Sequence, residues 1–156
     1  MTASPEPSRL FRPGRPDDAR AIHSILIESN LSAPAPGDLE RFTHSRIGAI
    51  LTFVCELDHE LIAVLQWQNL GEEAEILDVA VRPVHRHCGH ASFLLRNFLQ
   101  QAAAFSVQKI FLEVRESNSP AIALYKKFGF QSMGRRPSYY RNPDESALLM
   151  NLSLPA

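Results

Sequence analysis

The pattern between residues 74 and 128 constrains the fold of this 156-residue chain more than any other feature. A β-rich run, Ala74 to Arg82, is followed by apolar residues at helical spacing from Ala91 onward. A second apolar run, Ile110 to Val114, leads into a helix that begins at Ser119-Pro120. This order of strand, helix, strand and helix makes the two strands parallel through a right-handed crossover. We therefore expect a mixed sheet, with the two helices on opposite sides or at opposite ends of it.

The earlier segments predict an antiparallel meander. Two β-rich runs, Leu51 to Leu57 and Leu61 to Gln68, are separated by a short polar stretch, which is hairpin spacing. A short strand is expected around Arg9 to Arg12, and the helix after it should open at Pro16 to Asp18, because proline and acidic residues favour a helix N-terminus. The residues predicted to share one face of that helix are Ala19, Ile22, His23, Leu26 and Ile27.

The rest of the chain completes an α+β fold. A further helix is predicted from Asp38 to Arg46. Gly129 should end the last helix as the residue after Phe128, because a glycine commonly follows a helix C-terminus. Strands are expected at Phe130 to Arg136 and at Ala147 to Leu152.

Composition is that of an ordinary globular protein, with 45% hydrophobic and 21% charged residues. No repeat or linker divides the sequence, so we predict a single domain over residues 1–156, with 1–8 as a flexible tail. The formal net charge of -1 gives no global field for nucleic acid or an anionic membrane, and neither is an expected partner. The sequence contains only two cysteines, Cys55 and Cys88, which we expect to be free thiols. We find no apolar leader or membrane span in it, and we therefore expect a cytoplasmic location.

The segment from Arg86 to Ala91 is the strongest indication of a binding site. It lies between a strand and a helix N-terminus, where backbone N–H groups lack intrahelical partners and the helix dipole adds positive potential. Gly89 would let a phosphate approach the backbone closely. An ordinary helix-starting turn has the same spacing, so the physics alone leaves that alternative open. The segment matches neither the G-x-x-x-x-G-K-S/T phosphate loop nor the G-x-G-x-x-G dinucleotide fingerprint, so neither class is indicated.

Three histidines and a cysteine crowd the same region, namely His85, His87, Cys88 and His90. Imidazole and thiolate are ligands for zinc or copper. No second Cys/His pair follows at zinc-finger spacing, so no metal is expected.

The loop and its flanks resemble the GNAT family of acyl-CoA-dependent N-acyltransferases. Arg86 to Ala91 fits every fixed position of that family's pyrophosphate loop, Q/R-x-x-G-x-G/A. The likeness continues through further short segments: Val79-Ala80-Val81, Leu112 to Arg115, Asn118, Ala121 to Tyr125 and Gly129-Phe130. It is strongest from about Leu77 to Met150 and greatest with the RimI-type branch, the ribosomal-protein-alanine N-acetyltransferases. The resemblance implies a GNAT-like mixed sheet flanked by helices, in which the two parallel strands splay apart.

The resemblance also implies acetyl-CoA as co-substrate. The strand before the loop would hydrogen-bond the pantetheine arm and acetyl group, the loop would wrap the pyrophosphate, and Asn118 would contact the cofactor where the strands splay. The implied cofactor-binding residues are Val79, Ala80, Val81, Arg86, His87, Cys88, Gly89, His90, Ala91, Ser92 and Asn118.

A catalytic pair follows from the same resemblance, with Glu113 as the base for the amine and Tyr125 as the donor to the departing thiolate. Alternation along Ile110 to Val114 places Glu113 on the same side as Phe111 and opposite to Leu112, which aims its carboxylate from a central strand into a cleft. A charge is costly to bury there, and function is one reason to keep it. Pairing with Arg115 or another cation is the structural alternative for Glu113, core packing is the alternative for Tyr125, and Asp78 is a competing base.

The expected acceptor is a protein or peptide N-terminus, because the RimI-type branch acetylates the N-terminal alanine of a ribosomal protein. The segment Arg135 to Tyr140 resembles that branch, with Tyr139 and Tyr140 expected on the loop after the sixth strand. Deprotonation at pH 7 costs roughly 1 kcal/mol for an α-amine and about 4.6 kcal/mol for lysine, which also favours an N-terminus. Residues 30–36 lack the branch's aromatic-Pro-Trp stretch, so a lysine, a small amine and a non-catalytic acyl-CoA sensor remain alternatives.

Overall fold

A computed structural model describes residues 8–31 and 47–155, which form one seven-stranded sheet with helices packed against it. The strands are β1 Arg9–Pro13, β2 Ile50–Leu57, β3 Glu60–Asn69, β4 Glu73–Val81, β5 Lys109–Arg115, β6 Gln131–Tyr140 and β7 Glu145–Ser153. The α-helices are α1 Ala19–Glu28, α2 His90–Ala104 and α3 Ser119–Lys127, and short 3-10 turns cover Pro16–Asp18 and Pro83–His85. The helix predicted from Asp38 to Arg46 lies outside the described residues. Within those residues, no helix combines the length and apolar character that a membrane span requires.

The first four strands form the predicted antiparallel meander, in which each strand pairs with the next. The hairpin between β2 and β3 turns at Asp58 and His59, whose φ angles are 49° and 69°. Two successive positive φ angles are those of a type I′ turn, whose twist matches that of the flanking strands. The hairpin therefore forms without the Asn-Gly pair that this turn usually uses.

β4 and β5 are parallel, as predicted, and they separate part-way along their length. Their last paired residues are Ile76 and Leu112. Beyond this point β4 stays paired with β3 as far as Val81, and β5 stays paired with β7 as far as Arg115. The sheet therefore opens into a gap between the two strand ends, which confirms the splayed arrangement.

The two helices of this unit were expected on opposite sides or at opposite ends of the sheet, and the first alternative is wrong, because α2 and α3 pack on one face. Leu94 and Phe98 of α2 share a core cluster with Tyr125 of α3, whereas α1 belongs to a separate cluster. The strand order β1-β2-β3-β4-β5-β7-β6 explains this placement. The connections from β4 to β5 and from β5 to β6 cross the sheet in the same direction, and right-handed crossovers in one direction put their helices on the same face.

The buried face of α1 is shifted from the predicted one. Ile22 and Leu26 are buried as expected, and Ile25 is fully buried as well, whereas Ile27 is 54% exposed. Residues at positions i, i+3 and i+4 form one stripe of a helix, and Ile27 lies about 100° beyond Leu26 around the axis. The stripe is therefore centred on Ile22, Ile25 and Leu26.

Candidate active site

The end of β4 that borders the gap lines a cavity of about 620 Å³. Its walls come from the end of β4, the loop before α2, the first turn of α2 and one side of α3. Every predicted cofactor-binding residue except Cys88 lines this cavity, and so does Tyr125. Small-molecule sites commonly have volumes of roughly 300–1,000 Å³, so the cavity suits an extended ligand.

The loop before α2 lines this cavity and has an unusual backbone conformation. Gly89 is the N-cap residue of α2, with a φ of 80° and no side-chain cap hydrogen bond. His87 also has a positive φ, 62°, so the loop contains two left-handed residues. Alternation of left-handed and ordinary conformations gathers successive N–H groups into an anion-binding concavity. A Cβ placed on Gly89 would meet no atom within 4 Å, so there is open space in front of this backbone.

The side chain of Arg86 holds the loop against the end of β4. Its Nε donates to the carbonyl oxygen of Val81 at 3.1 Å, and one terminal nitrogen lies 3.4 Å from the hydroxyl of Ser29. Cys88 is exposed, and its thiol donates to the carbonyl oxygen of Arg86 at 3.4 Å. The side chains of Arg86 and Cys88 therefore stabilise the conformation of the loop. The predicted contact between Cys88 and the cofactor would have to be made by the backbone of Cys88, and it stays a prediction.

His90, in the first turn of α2, is buried, with its Nδ1 atom 3.4 Å from a guanidinium nitrogen of Arg9. The same guanidinium lies 4.1 Å from the ring centre of Phe93. Burial, together with the charges of Arg9 and His85, lowers the pKa of His90. Its ring is therefore neutral at pH 7, and Nδ1 can accept the hydrogen bond from Arg9.

Asn118, which caps α3, and Tyr125, on α3, both line the cavity. Asn118 caps α3 by accepting a hydrogen bond from the backbone N–H of Ala121 at 3.3 Å, which uses its side-chain oxygen. Tyr125 is 7% exposed and lines the cavity. Burial raises the pKa of Tyr125, and the charges of Asp78 and Tyr140 raise it further. The phenol therefore stays protonated at neutral pH and can act as a hydrogen-bond donor.

Glu113 is the first residue of β5 beyond the last pair with β4, so it stands at the closed end of the gap. It does not line the large cavity but a smaller depression of about 190 Å³, together with Glu75 and Arg136. One carboxylate oxygen of Glu113 lies 3.3 Å from a guanidinium nitrogen of Arg136. The cation that pairs with Glu113 is therefore Arg136, whereas Arg115 pairs with Glu145.

Asp78 lies on the part of β4 that no longer pairs with β5, two residues past Ile76. Burial raises the pKa of Asp78 to about 6. Burial also raises the pKa of Tyr140 to about 12, with further contributions from the charges of Glu113 and Asp78. Tyr140 is therefore within electrostatic range of both carboxylates, and Asp78 lies in a less solvated place than an ordinary surface acid.

Replacing Asp78 by Asn should stabilise the fold at neutral and alkaline pH. The folded-state pKa is raised from 3.8 to about 6, so ionisation of Asp78 costs stability once the pH exceeds both values. That cost is fully present above about pH 6 and absent below about pH 3.8, so the stability of the wild type should fall as the pH rises between these values. We expect Asp78→Asn to gain about 2–3 kcal/mol of unfolding free energy at pH 8 and nothing at pH 3.5, measured by urea titration. An equal effect at both pH values would contradict this account.

Sequence reasoning missed part of this site. Ser29 and Leu31, after α1, line the large cavity although no motif marks them. Glu75 was also missed, and its position on β4, two residues before the start of the gap, is the signal that could have found it. Tyr139 and Tyr140 were expected on a loop, but β6 extends to Tyr140, because β7 pairs with it again at Glu145 beyond an irregularity.

The large cavity is thus lined by the loop before α2, by the end of β4 and by Asn118 and Tyr125, whereas Glu113 lines the smaller depression. In the ranges that the structure describes, no group of three or more His, Cys, Asp or Glu side chains is arranged to hold a metal ion.

Comparison with known protein families identifies the class. Residues 19–130 match the model of the acetyltransferase (GNAT) family, which is well over half of the chain, and the chain belongs to that family. The use of acetyl-CoA is a property of this family.

Individual relatives are alanine N-acetyltransferases by name. The chain is 35% identical over 96 residues to the ribosomal protein bS18-alanine N-acetyltransferase of Haemophilus influenzae, in a match that covers 60% of this chain and 65% of that protein. The Escherichia coli enzyme of the same name is 30% identical over 121 residues, which is 76% of this chain and 82% of the relative.

Solved structures show the same fold along nearly the whole chain. The ribosomal-protein-S18-alanine N-acetyltransferase of Escherichia coli superposes with a TM-score of 0.83 at 25% identity, and the match covers 96% of this chain and 97% of that one. Ard1 from Thermoplasma volcanium gives a TM-score of 0.82 at 25% identity, with 95% and 99% coverage.

Proposed function

We propose that this protein is an acetyl-CoA-dependent N-acetyltransferase that acts on a primary amine, and specifically on the α-amine of a protein N-terminus. The observation that carries the proposal is the continuity of the site. The amides before α2, the unpaired edge of β4 and the hydroxyl-bearing residue Tyr125 all belong to one cavity. Membership of the family supports the acetyl transfer, and the names of the relatives support the N-terminal acceptor.

The residues present fit acetyl-CoA. The backbone amides of His90 to Ser92 would bind the pyrophosphate, helped by the positive end of the α2 dipole. The unpaired edge of β4 from Val79 to Val81 would bind the amide groups of the pantetheine arm through backbone hydrogen bonds. The open space in front of Gly89 leaves room for close approach of a phosphate. When bound, acetyl-CoA supplies a thioester carbonyl as the electrophile for the amine.

Glu113 and Tyr125 are proposed for the proton transfers. Glu113 would take a proton from the amine nitrogen, directly or through one water, so that the nitrogen attacks with its lone pair free. Tyr125 would keep its hydroxyl proton directed at the departing sulfur. A phenol is a weaker acid than a thiol by about 2 kcal/mol at reference pKa values, and burial raises the pKa of Tyr125 further. Tyr125 therefore stabilises the thiolate by a hydrogen bond, with complete proton transfer late or absent.

An N-terminal α-amine is easier to deprotonate than a lysine side chain, so a site with a single carboxylate as the base suits it better. Its pKa near 7.7 to 8.0 leaves roughly a tenth of the amine neutral at pH 7, against less than about a thousandth for lysine. The relatives are named for alanine on ribosomal protein bS18, so a small first residue is the proposed preference. A ribosomal acceptor would place the reaction in the cytoplasm, which agrees with the prediction from the sequence.

Turnover and binding measured together test this proposal. With acetyl-CoA and a peptide that begins with Ala, we expect release of one CoA for each acetylated peptide. Chromatography should be used for CoA, because the exposed thiol of Cys88 would react with a thiol reagent. A protein that binds acetyl-CoA in calorimetry but releases no CoA with any amine would be a sensor, and that result would contradict the proposal.

A further inference from the structure

The carboxylate proposed as the base already has a cationic partner. The guanidinium of Arg136 lies 3.3 Å from Glu113 and is positioned 5.0 Å from the ring centre of Tyr139. Interaction with Glu113 is the largest cause that raises the pKa of Tyr139, so the Tyr139 hydroxyl lies near the same carboxylate. Three side chains from β5 and β6 thus form one contact group at the closed end of the gap.

Glu75 adds a second carboxylate to this group. It lies on β4, where it pairs in register with Phe111, two residues before Glu113 on β5. Burial and the charge of Glu113 raise the pKa of Glu75, whereas the charge of Arg136 lowers it. Both carboxylates line the same depression as Arg136. Among the described residues that line the depression, two carboxylates and one guanidinium carry charge, so removal of the guanidinium would leave the two carboxylates without a cation in this lining.

We propose that Arg136 is a specificity-determining residue that disfavours protonated amines at Glu113. This inference rests on the proposed function and deepens it. Two neighbouring carboxylates without a cation would attract the ammonium form of an acceptor, which lysine and polyamines present almost exclusively at neutral pH. A lysine could then bind in its abundant form and lose its proton afterwards. The positive charge of Arg136 disfavours an ammonium group at that position, so the acceptor reaches Glu113 mainly as a neutral amine.

The consequence is selection by amine basicity. At pH 7 the neutral fraction of an α-amine exceeds that of a lysine side chain by a factor of about 200–400. A site that disfavours the ammonium form turns part of this difference into a preference for N-termini. The ion pair is partly solvated, since the Arg136 side chain is 53% exposed, so the guanidinium reduces the attraction for cations without abolishing it.

The test compares Arg136→Gln with two matched variants. Arg136→Lys retains the positive charge, and Arg135→Gln removes the neighbouring arginine, which pairs with Glu116 instead. The first readout is the ratio of kcat/KM for an Ala-starting peptide to that for an N-terminally blocked peptide with one internal lysine. The second readout is the Kd of spermidine, measured by calorimetry without acetyl-CoA, which needs no turnover.

We expect Arg136→Gln to lower the kcat/KM ratio about tenfold and to tighten spermidine binding about tenfold, while Arg136→Lys and Arg135→Gln stay within about twofold of wild type. An unchanged spermidine Kd in Arg136→Gln overturns the inference, and so does an equal loss of activity on both peptides. If the wild type acetylates neither peptide, the proposed function fails, and the spermidine titration still decides whether Arg136 repels cations from this depression.

Discussion

Replacement of Glu113 by Gln is expected to lower kcat by about 10²–10⁴ while leaving the affinity for acetyl-CoA within about twofold, because a general base contributes to the chemical step alone. The amide keeps the size of the side chain and cannot accept the proton. Glu113 also lies outside the large cavity that would hold the cofactor. Loss of its contact with the partly exposed Arg136 should cost less than about 1 kcal/mol of stability, so the variant should fold. Steady-state kinetics and calorimetry on one preparation give both quantities.

Glu116→Gln is the matched control for this variant. Glu116 follows β5 directly and pairs with Arg135. The Glu116→Gln substitution therefore removes an exposed ion pair similar to the Glu113–Arg136 pair and leaves the lining of the cavity unchanged. Tyr125→Phe should lower kcat in the same sense, because it removes only the hydroxyl that lines the cavity. If Asp78→Asn abolishes turnover while Glu113→Gln is nearly silent, Asp78 is the base and the assignment to Glu113 is wrong.

Gly89→Val is expected to weaken acetyl-CoA binding by about 10- to 100-fold, equivalent to about 1.4–2.8 kcal/mol. The φ of 80° at Gly89 is unfavourable for a β-branched residue, so the loop must distort to accept valine. The new side chain would also enter the open space in front of the loop amides. Calorimetric titration with acetyl-CoA measures the loss.

Gly71→Val separates backbone strain from loss of the site. Gly71 has a similar φ of 91° and, like Gly89, no atom within 4 Å of a Cβ position, but it lies in the turn between β3 and β4 and does not line the cavity. Both variants should lose similar unfolding free energy, and only Gly89→Val should lose affinity. Equal affinities for the two variants would exclude the loop from the binding site.

The parts of the fold that depend on local pattern could be predicted from the sequence. Helical spacing from Ala91 and the proline after Ser119 located α2 and α3, and the glycine after Phe128 ended α3 with a φ of 95°. The crossover rule predicted that β4 and β5 are parallel, as they are in the structure. To predict the side of the sheet on which the two helices lie, one must also know that β6 lies beyond β7 in the sheet. Local sequence patterns do not contain this long-range strand order.

The binding loop was visible in the sequence because its function depends on backbone conformation, which Gly89 reveals. The arrangement around Glu113 could not be predicted from the sequence, because it depends on residues that are more than twenty positions away along the chain. Arg136 reaches Glu113 through the pairing of β5, β7 and β6, and Glu75 reaches it through the pairing of β4 with β5. Equally, Arg115 is close to Glu113 in sequence, yet it pairs with Glu145.

A competition between two acceptors tests the central claim most directly. Equal amounts of an Ala-starting peptide without lysine and of an N-terminally blocked peptide with one internal lysine are incubated with the full chain and isotopically labelled acetyl-CoA. Fragmentation mass spectrometry then locates the label. The account predicts that the label accumulates on the α-amine of the Ala-starting peptide in large excess over the lysine. Preferential labelling of the lysine, or no label on either peptide, would contradict it.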